Sequence, residues 1–277
     1  MTFQFKSAAG SSGICSRTFS SAGLLSLLMM IQGLTPTPAF AQSAATSKIG
    51  FCTKSQDRSW FQQVASEEEN HLSFKNRGGI GNGGVCWWHS RLTRAANYLA
   101  VYRPDLPKPN AAQVRAILWD LQNLSAVVEI PGYSSLSEFS HDWESTIQKL
   151  LEAWQRNDGI WRLAWIRGLY NSATPNAQKM ERTMEELFED VESGHRITYL
   201  KVQIPGIPSH AWLITSAVKT DEGYDLQVID SNYLDTQTYH YKHGDAHLSV
   251  YDNAMPYIEQ MKDFAPIDEA IAAYCAE

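Results

Sequence analysis

The sequence predicts an α+β fold, with a helical first part followed by an antiparallel sheet. Three observations carry this. Apolar residues recur at helical spacing through most of residues 86–194. From Arg196 onward the period changes to the alternation of strands. Turn residues, Pro205-Gly206-Ile207-Pro208 and Asp221-Glu222-Gly223, punctuate the alternating part. Helices first and strands after is the pattern of a segregated α+β architecture.

Taken in order, residues 42–60 read as an irregular arm and 61–72 as a short helix. Five glycines in the nine residues 77–85 (RGGIGNGGV) exclude regular structure there. Cys86 opens a helical segment, CWWHSRLTRAANYLAVYR, in which Leu92, Ala95, Ala96 and Leu99 keep helical spacing. The prolines of RPDLPKP end it. An amphipathic helix is expected over 111–124, a short strand at VVEIPGY, and helix over Leu136–Tyr170, broken near Asn157-Asp158-Gly159. A further helix follows Pro175 and stops at Gly194, its glutamates forming a solvated face. Strands are expected at RITYLKVQI, HAWLITSAV, YDLQVID and TQTYHY, with helix again from about Ala254.

The first 41 residues read as a processing segment. Lys6 and Arg17 are their only charges, the apolar run AGLLSLLMMI follows, and Ala39-Phe40-Ala41 provides a small-x-small cleavage site. The run is too short to span ~30 Å of hydrocarbon. The expectation is a secreted or periplasmic protein beginning at Gln42, with no membrane anchor after cleavage. The expected organisation is an arm and short helix over 42–76 and one larger domain over 77–277. Without the segment the chain keeps 21 basic and 30 acidic residues, a net charge of −9. That balance carries no footprint for nucleic acid or an anionic membrane.

Three cysteines remain beyond the segment: Cys52, Cys86 and Cys275. In an oxidising compartment three imply one pair and one leftover. Domain termini often lie close together, which favours a Cys52–Cys275 bridge and leaves Cys86 as a free thiol. The plainer alternative is three unpaired buried thiols.

A cysteine nucleophile needs a stabilised thiolate, a base in reach and a group to orient that base. Cys86 stands where the glycine loop becomes a helix, and a helix N-terminus favours negative charge. The N–H of Cys86 and those of the loop, Gly84 included, suit an oxyanion hole and a close approach of substrate. His210 is the candidate base, opening a strand after a proline-bounded turn. The next strand ends in Val228-Ile229-Asp230-Ser231-Asn232. Asp230 is the first choice of orienter and Asn232 the second, because the pairing register is not fixed by counting. Trp87 and Trp212 are candidates for the cleft walls, with core packing as the alternative. His89 reads as structural or substrate-lining, because no acidic orienter lies near it in sequence. The cluster His240, His243, Asp245 and His247 matches no tight metal spacing and reads as a solvated loop. No metal or cofactor is expected.

Cys86-Trp87 at a helix start, then His210-Ala211-Trp212 opening a strand, then Asp230 or Asn232 on the next strand, resembles the papain-like cysteine peptidases. The order Cys, His, Asp/Asn is theirs, and His210 follows Cys86 by 124 residues, near the ~130 of papain relatives. The resemblance covers about residues 77–240. It implies a papain-like fold, a thioester intermediate and a peptide or isopeptide bond in a peptide or protein substrate. The segment GNGGVCWWHS lacks the peptidase CG-S-CW pattern, and Ile80 stands where the family's oxyanion glutamine falls. Asn82 is the nearest amide that suits that role, with Gln62 and Gln63 farther off. The Gly84-Val85-Cys86 segment is also similar to transglutaminase-like enzymes, in which an amine resolves the thioester. A binding protein that keeps the fold without catalysis is the reading outside enzymes.

Overall fold

The computed structural model describes residues 44–77, 84–161, 176–203, 209–250 and 263–276. The processing segment, Asn82 and the turn at 205–208 lie outside the described residues. Within them the architecture is mixed helix and sheet. The helices are α1 (Lys48–Lys54), α2 (Ser59–Ser66), α3 (Cys86–Leu99), α4 (Ala111–Asn123), α5 (Leu136–Asp142), α6 (Glu144–Arg156), α7 (Ala177–Phe188) and α8 (Phe264–Ala276). A parallel pair joins β1 (Ala100–Arg103) to β2 (Val128–Pro131), and β3 (Thr198–Gln203), β4 (Ser209–Lys219), β5 (Gly223–Asp230) and β6 (Gln237–Lys242) form an antiparallel sheet in chain order.

Helix α3 is the axis of the structure. Of its fourteen residues only Arg91 is not buried, which places the helix between layers rather than on a surface. The sequence pattern extends this helix to Arg103. It stops at Leu99, because residues 100–103 pair with β2 (Ala100 with Val128, Tyr102 with Ile130) and the Tyr102 N–H donates to Ala45 O at 3.0 Å. Val101 and Tyr102 are better suited to such a ladder than to a helix end. The expected irregular arm is also more ordered than its sequence suggests. Ser47 caps α1 by accepting from the Gly50 N–H, and Phe51, Trp60, Phe61 and Val64 join Leu92, Tyr98 and Leu99 in one apolar core.

Cys52 in α1 and Cys275 in α8 lie at disulfide geometry, with Cα atoms 5.6 Å apart across 223 residues of sequence. No helix among the described residues is long and apolar enough to cross a membrane.

The four-stranded sheet is covered on both sides, which explains why HAWLITSAV is a nearly continuous apolar run. Tyr199, Ala211, Leu213 and Ile229 belong to the core shared with α3, whereas Val202, Trp212, Ile214 and Val228 pack with Met180, Met184 and Leu187 of α7. Two local features shape the pairing of β5 with β6 and with β4. Gly223 is required at the turn, since a Cβ there would lie 1.8 Å from Tyr241 O. A bulge between Ile214 and Ser216 then shifts the pairing by one residue, from Ser216 opposite Gln227 to Ile214 opposite Val228. Glu192 holds the bulge, accepting from Ser216 Oγ at 3.0 Å and from the Ala217 N–H at 2.7 Å.

Candidate active site

Cys86 is the first residue of α3 and is 8% exposed. Val85 before it supplies no side-chain cap. The first helical bond runs from the His89 N–H to Val85 O at 2.7 Å, and Gln155 Oε1 from α6 accepts from the Trp88 N–H at 3.3 Å. The N–H groups of Cys86 and Trp87 precede that first bond, as the leading donors of any helix do. Three contacts hold this helix against the sheet. Cys86 Sγ lies 3.7 Å from Ser209 O, Ser90 Oγ donates to Ala211 O at 3.1 Å, and Arg94 Nε donates to Ile197 O at 2.9 Å.

Ser209 and His210 open β4, so the helix start and the imidazole meet at the same strand end. His210 is 3% exposed and its Nε2 donates to Asp230 Oδ1 at 2.6 Å. A carboxylate only accepts, so this bond fixes the proton on Nε2. Cys86 acts on the same ring, and with Nε2 taken by Asp230, Nδ1 is the nitrogen left for the thiol. Burial alone would push the imidazole's pKa down. The bonds to Asp230 and Cys86, together with the negative charge available on each, outweigh it and lift the pKa to about 10. The imidazolium is therefore the favoured form at neutral pH.

Asp230 is fully buried and accepts on both of its oxygens. Its Oδ1 also accepts from the Asn232 N–H at 3.0 Å, and its Oδ2 accepts from Tyr239 Oη at 2.7 Å. Of the two orienters offered by the sequence, Asp230 bonds His210. The Asn232 amide oxygen accepts instead from Asn76 Nδ2 at 3.0 Å.

The other sequence-predicted residues divide as follows. Gly84 leads into Val85 and is half-buried. Trp87 is buried with the Lys201 Nζ 3.5 Å from its ring centroid. Trp212 is fully enclosed, 4.8 Å from the Tyr239 ring. Both tryptophans pack into the interior rather than lining an open wall, because the sheet is covered on its second face as well. Gln62, a distant candidate for the oxyanion role, donates its amide to Val191 O at 2.8 Å and Arg196 O at 3.3 Å. His89 donates Nε2–H to Phe74 O at 2.8 Å, and burial pushes its pKa down to about 4. His240 and His243 form separate pairs with Asp225 and Glu181, each at 2.6 Å. Among the described residues no group of three or more His, Cys, Asp or Glu side chains is arranged for a metal.

Sequence reading missed Asn76 and Tyr239. Nothing around Asn76 (Lys75-Asn76-Arg77) marks it. Tyr239 sits on β6 opposite Leu226 and reaches Asp230 only because the sheet places β6 beside β5.

No family model, no curated protein and no solved structure matches this chain.

Proposed function

We propose that this protein is an exported cysteine hydrolase of papain-like design that cleaves an amide bond of peptide or isopeptide type. The observation that supports it most is the buried chain Cys86–His210–Asp230. The thiol opens a helix, the imidazole interacts with it, and the carboxylate bonds the ring's Nε2 at 2.6 Å. A nucleophile, a base in contact with it and an orienter of that base are the parts that acyl transfer through sulfur requires.

In this mechanism the imidazolium of His210 stabilises the Cys86 thiolate. The thiolate sulfur attacks the carbonyl carbon, and the oxyanion develops toward the N–H groups at the start of α3. His210 gives its proton to the amine nitrogen as the C–N bond breaks, leaving a thioester. A water then attacks the thioester, His210 takes its proton, and the C–S bond breaks to release a carboxylic acid and restore the thiolate–imidazolium pair. One amide and one water become one acid and one amine, with no cofactor.

The test is brief alkylation with iodoacetamide followed by intact-mass analysis, comparing wild type with His210→Ala. Single labelling at Cys86, about 100-fold slower in the variant at neutral pH, is expected, the scale of a positioned acid–base group. Equal slow labelling in both proteins would sink the proposal and favour a binding module. If labelling is fast, release of acid in water or incorporation of an added amine distinguishes hydrolysis from transfer.

A further inference from the structure

Asn76 uses three polar groups in one bridge. Its Oδ1 accepts from the Val85 N–H at 2.8 Å, its Nδ2 donates to Asn232 Oδ1 at 3.0 Å, and its own N–H donates to Ser231 O at 2.7 Å. Val85 immediately precedes the nucleophile. Ser231 and Asn232 immediately follow Asp230, and the Asn232 N–H donates to the same Asp230 oxygen that takes the proton of His210. The contacts therefore close on themselves. Starting at Val85 they pass through Asn76, Asn232, Asp230 and His210 to Cys86, which is bonded to Val85 by the chain.

We infer that Asn76 is a positioning residue that sets the spacing between Cys86 and the His210–Asp230 pair. The inference rests on the proposed role of that pair and adds to it a part with no contact to substrate. The physical reason is the way the two halves of the site are held. Cys86 sits at a helix end whose N-cap residue, Val85, supplies no side-chain cap. Asp230 sits at a strand end that turns at once, the Tyr233 N–H donating to Asp230 O at 2.9 Å. Neither an uncapped helix end nor a strand end fixes its own position well. One asparagine bonded to both, through backbone groups on either side and a side-chain amide, replaces two independent freedoms with one shared geometry. Asparagine suits the task because its amide carries an acceptor and a donor on a short stem. An aspartate in its place keeps the acceptor for Val85 but turns a second acceptor toward Asn232 Oδ1.

The surrounding charges do not provide the link in its place. Of the two neighbours, Lys75 is exposed and Arg77 pairs outward with Glu144 at 2.9 Å. Reactivity at Cys86 depends steeply on the sulfur–imidazole geometry, and a misplacement of ~1 Å costs on the order of 100-fold in comparable sites. Losing one tether of several is expected to move the site by less than that.

The experiment measures the iodoacetamide labelling rate of Cys86 from pH 4 to 10 in the intact protein, for wild type, Asn76→Ala, Asn76→Asp, His210→Ala and the double variant Asn76→Ala/His210→Ala. Asn76→Ala is expected to label about tenfold more slowly at neutral pH, with a flattened pH profile, and Asn76→Asp to fall between it and wild type. The double variant is expected to match His210→Ala alone, because positioning has no effect once the imidazole is gone. Thermal midpoints are recorded alongside, so that a merely structural role shows as lost stability with an unchanged profile. A wild-type profile in folded Asn76→Ala or Asn76→Asp, or an additive double variant, overturns the inference while leaving the proposed function standing. A wild type whose labelling ignores His210 overturns both.

Discussion

Two histidines lie close to Cys86, and they behave oppositely. His89 is three residues along the same helix and His210 is across the site on β4. Their burial is almost the same, at 4% and 3% exposure. Yet His89 is pushed down to about 4 and His210 is lifted to about 10. Burial lowers both. What separates them is the partner. His89 gives one proton to a neutral carbonyl, Phe74 O, and so gains nothing from a second. His210 faces a carboxylate on one nitrogen and a thiol able to carry negative charge on the other. Sequence proximity to the cysteine therefore says little. Charge complementarity delivered by the sheet selects the base.

The sharpest way to break this comparison is to remove the charge and keep the shape. Asp230→Asn retains an acceptor for the His210 Nε2–H and the Asn232 N–H, but withdraws the counter-charge. Cys86 labelling is expected to slow by about tenfold or more at neutral pH, the scale of one charge-assisted bond exchanged for a neutral one. The alkaline limb of the profile moves to lower pH, because the imidazolium loses its partner and deprotonates earlier. An unmoved profile would show that Cys86 alone sustains the charged ring.

The same opposition predicts two arms in the pH dependence of stability. His210 has a folded pKa above its unfolded value near 6.5, so it contributes stability in full below about 6.5, and loses it as pH rises toward about 10. His89 has a folded pKa below its unfolded value, so its contribution is present above about 6.5 and is lost as pH falls toward about 4. Thermal unfolding should therefore show a shallower alkaline decline in His210→Ala than in wild type. It should show a shallower acid decline in His89→Gln, whose amide keeps a donor for Phe74 O. Cys86 labelling in His89→Gln is expected to stay at the wild-type rate. A slowed rate there would make His89 part of the site after all.

How much of this was legible in the sequence depends on the range of the interaction. The α+β division, the four strands of the sheet and the helix start at Cys86 follow from local period and turn chemistry, and those are visible over a few residues. The face taken by Asp230 and Asn232, which lie two apart and so would share one along a strand, was not fixed locally. It turns on the bulge at Ile214–Ser216, and the end of β5 at Asp230 then separates the two. Continued without the bulge, the pairing of Ser216 with Gln227 would place Asp230 opposite Leu213, on the face packed against α3. The one-residue shift puts it opposite Trp212 instead, on the face of His210. Nothing in HAWLITSAV announces a bulge. Its stabiliser is Glu192, from the segment before the sheet, which reads in sequence as one more acid on a solvated helix. Asn76 was hidden for a related reason. Its importance comes from two backbone positions, Val85 and Ser231, whose meeting depends on the whole fold.

The smallest effect tests how far the charge network reaches. Tyr239 Oη donates to Asp230 Oδ2 at 2.7 Å, on the oxygen that His210 does not use. Its ring packs on Trp212, so Tyr239→Phe keeps the packing and removes only the donor. A buried carboxylate that loses one of its donors holds its charge less well. Its pull on His210 weakens in the same direction as in Asp230→Asn, but the His210 and Asn232 bonds remain. The expected result is labelling slowed by about threefold, a fraction of the roughly 1.5–3 kcal/mol of a hydrogen bond to a charged group, with a small shift of the alkaline limb to lower pH. A rate and profile identical to wild type would confine the charge network to Asp230, His210 and Cys86. A loss as large as that in Asp230→Asn would mean that the tyrosine, rather than the strand end, holds the carboxylate in place.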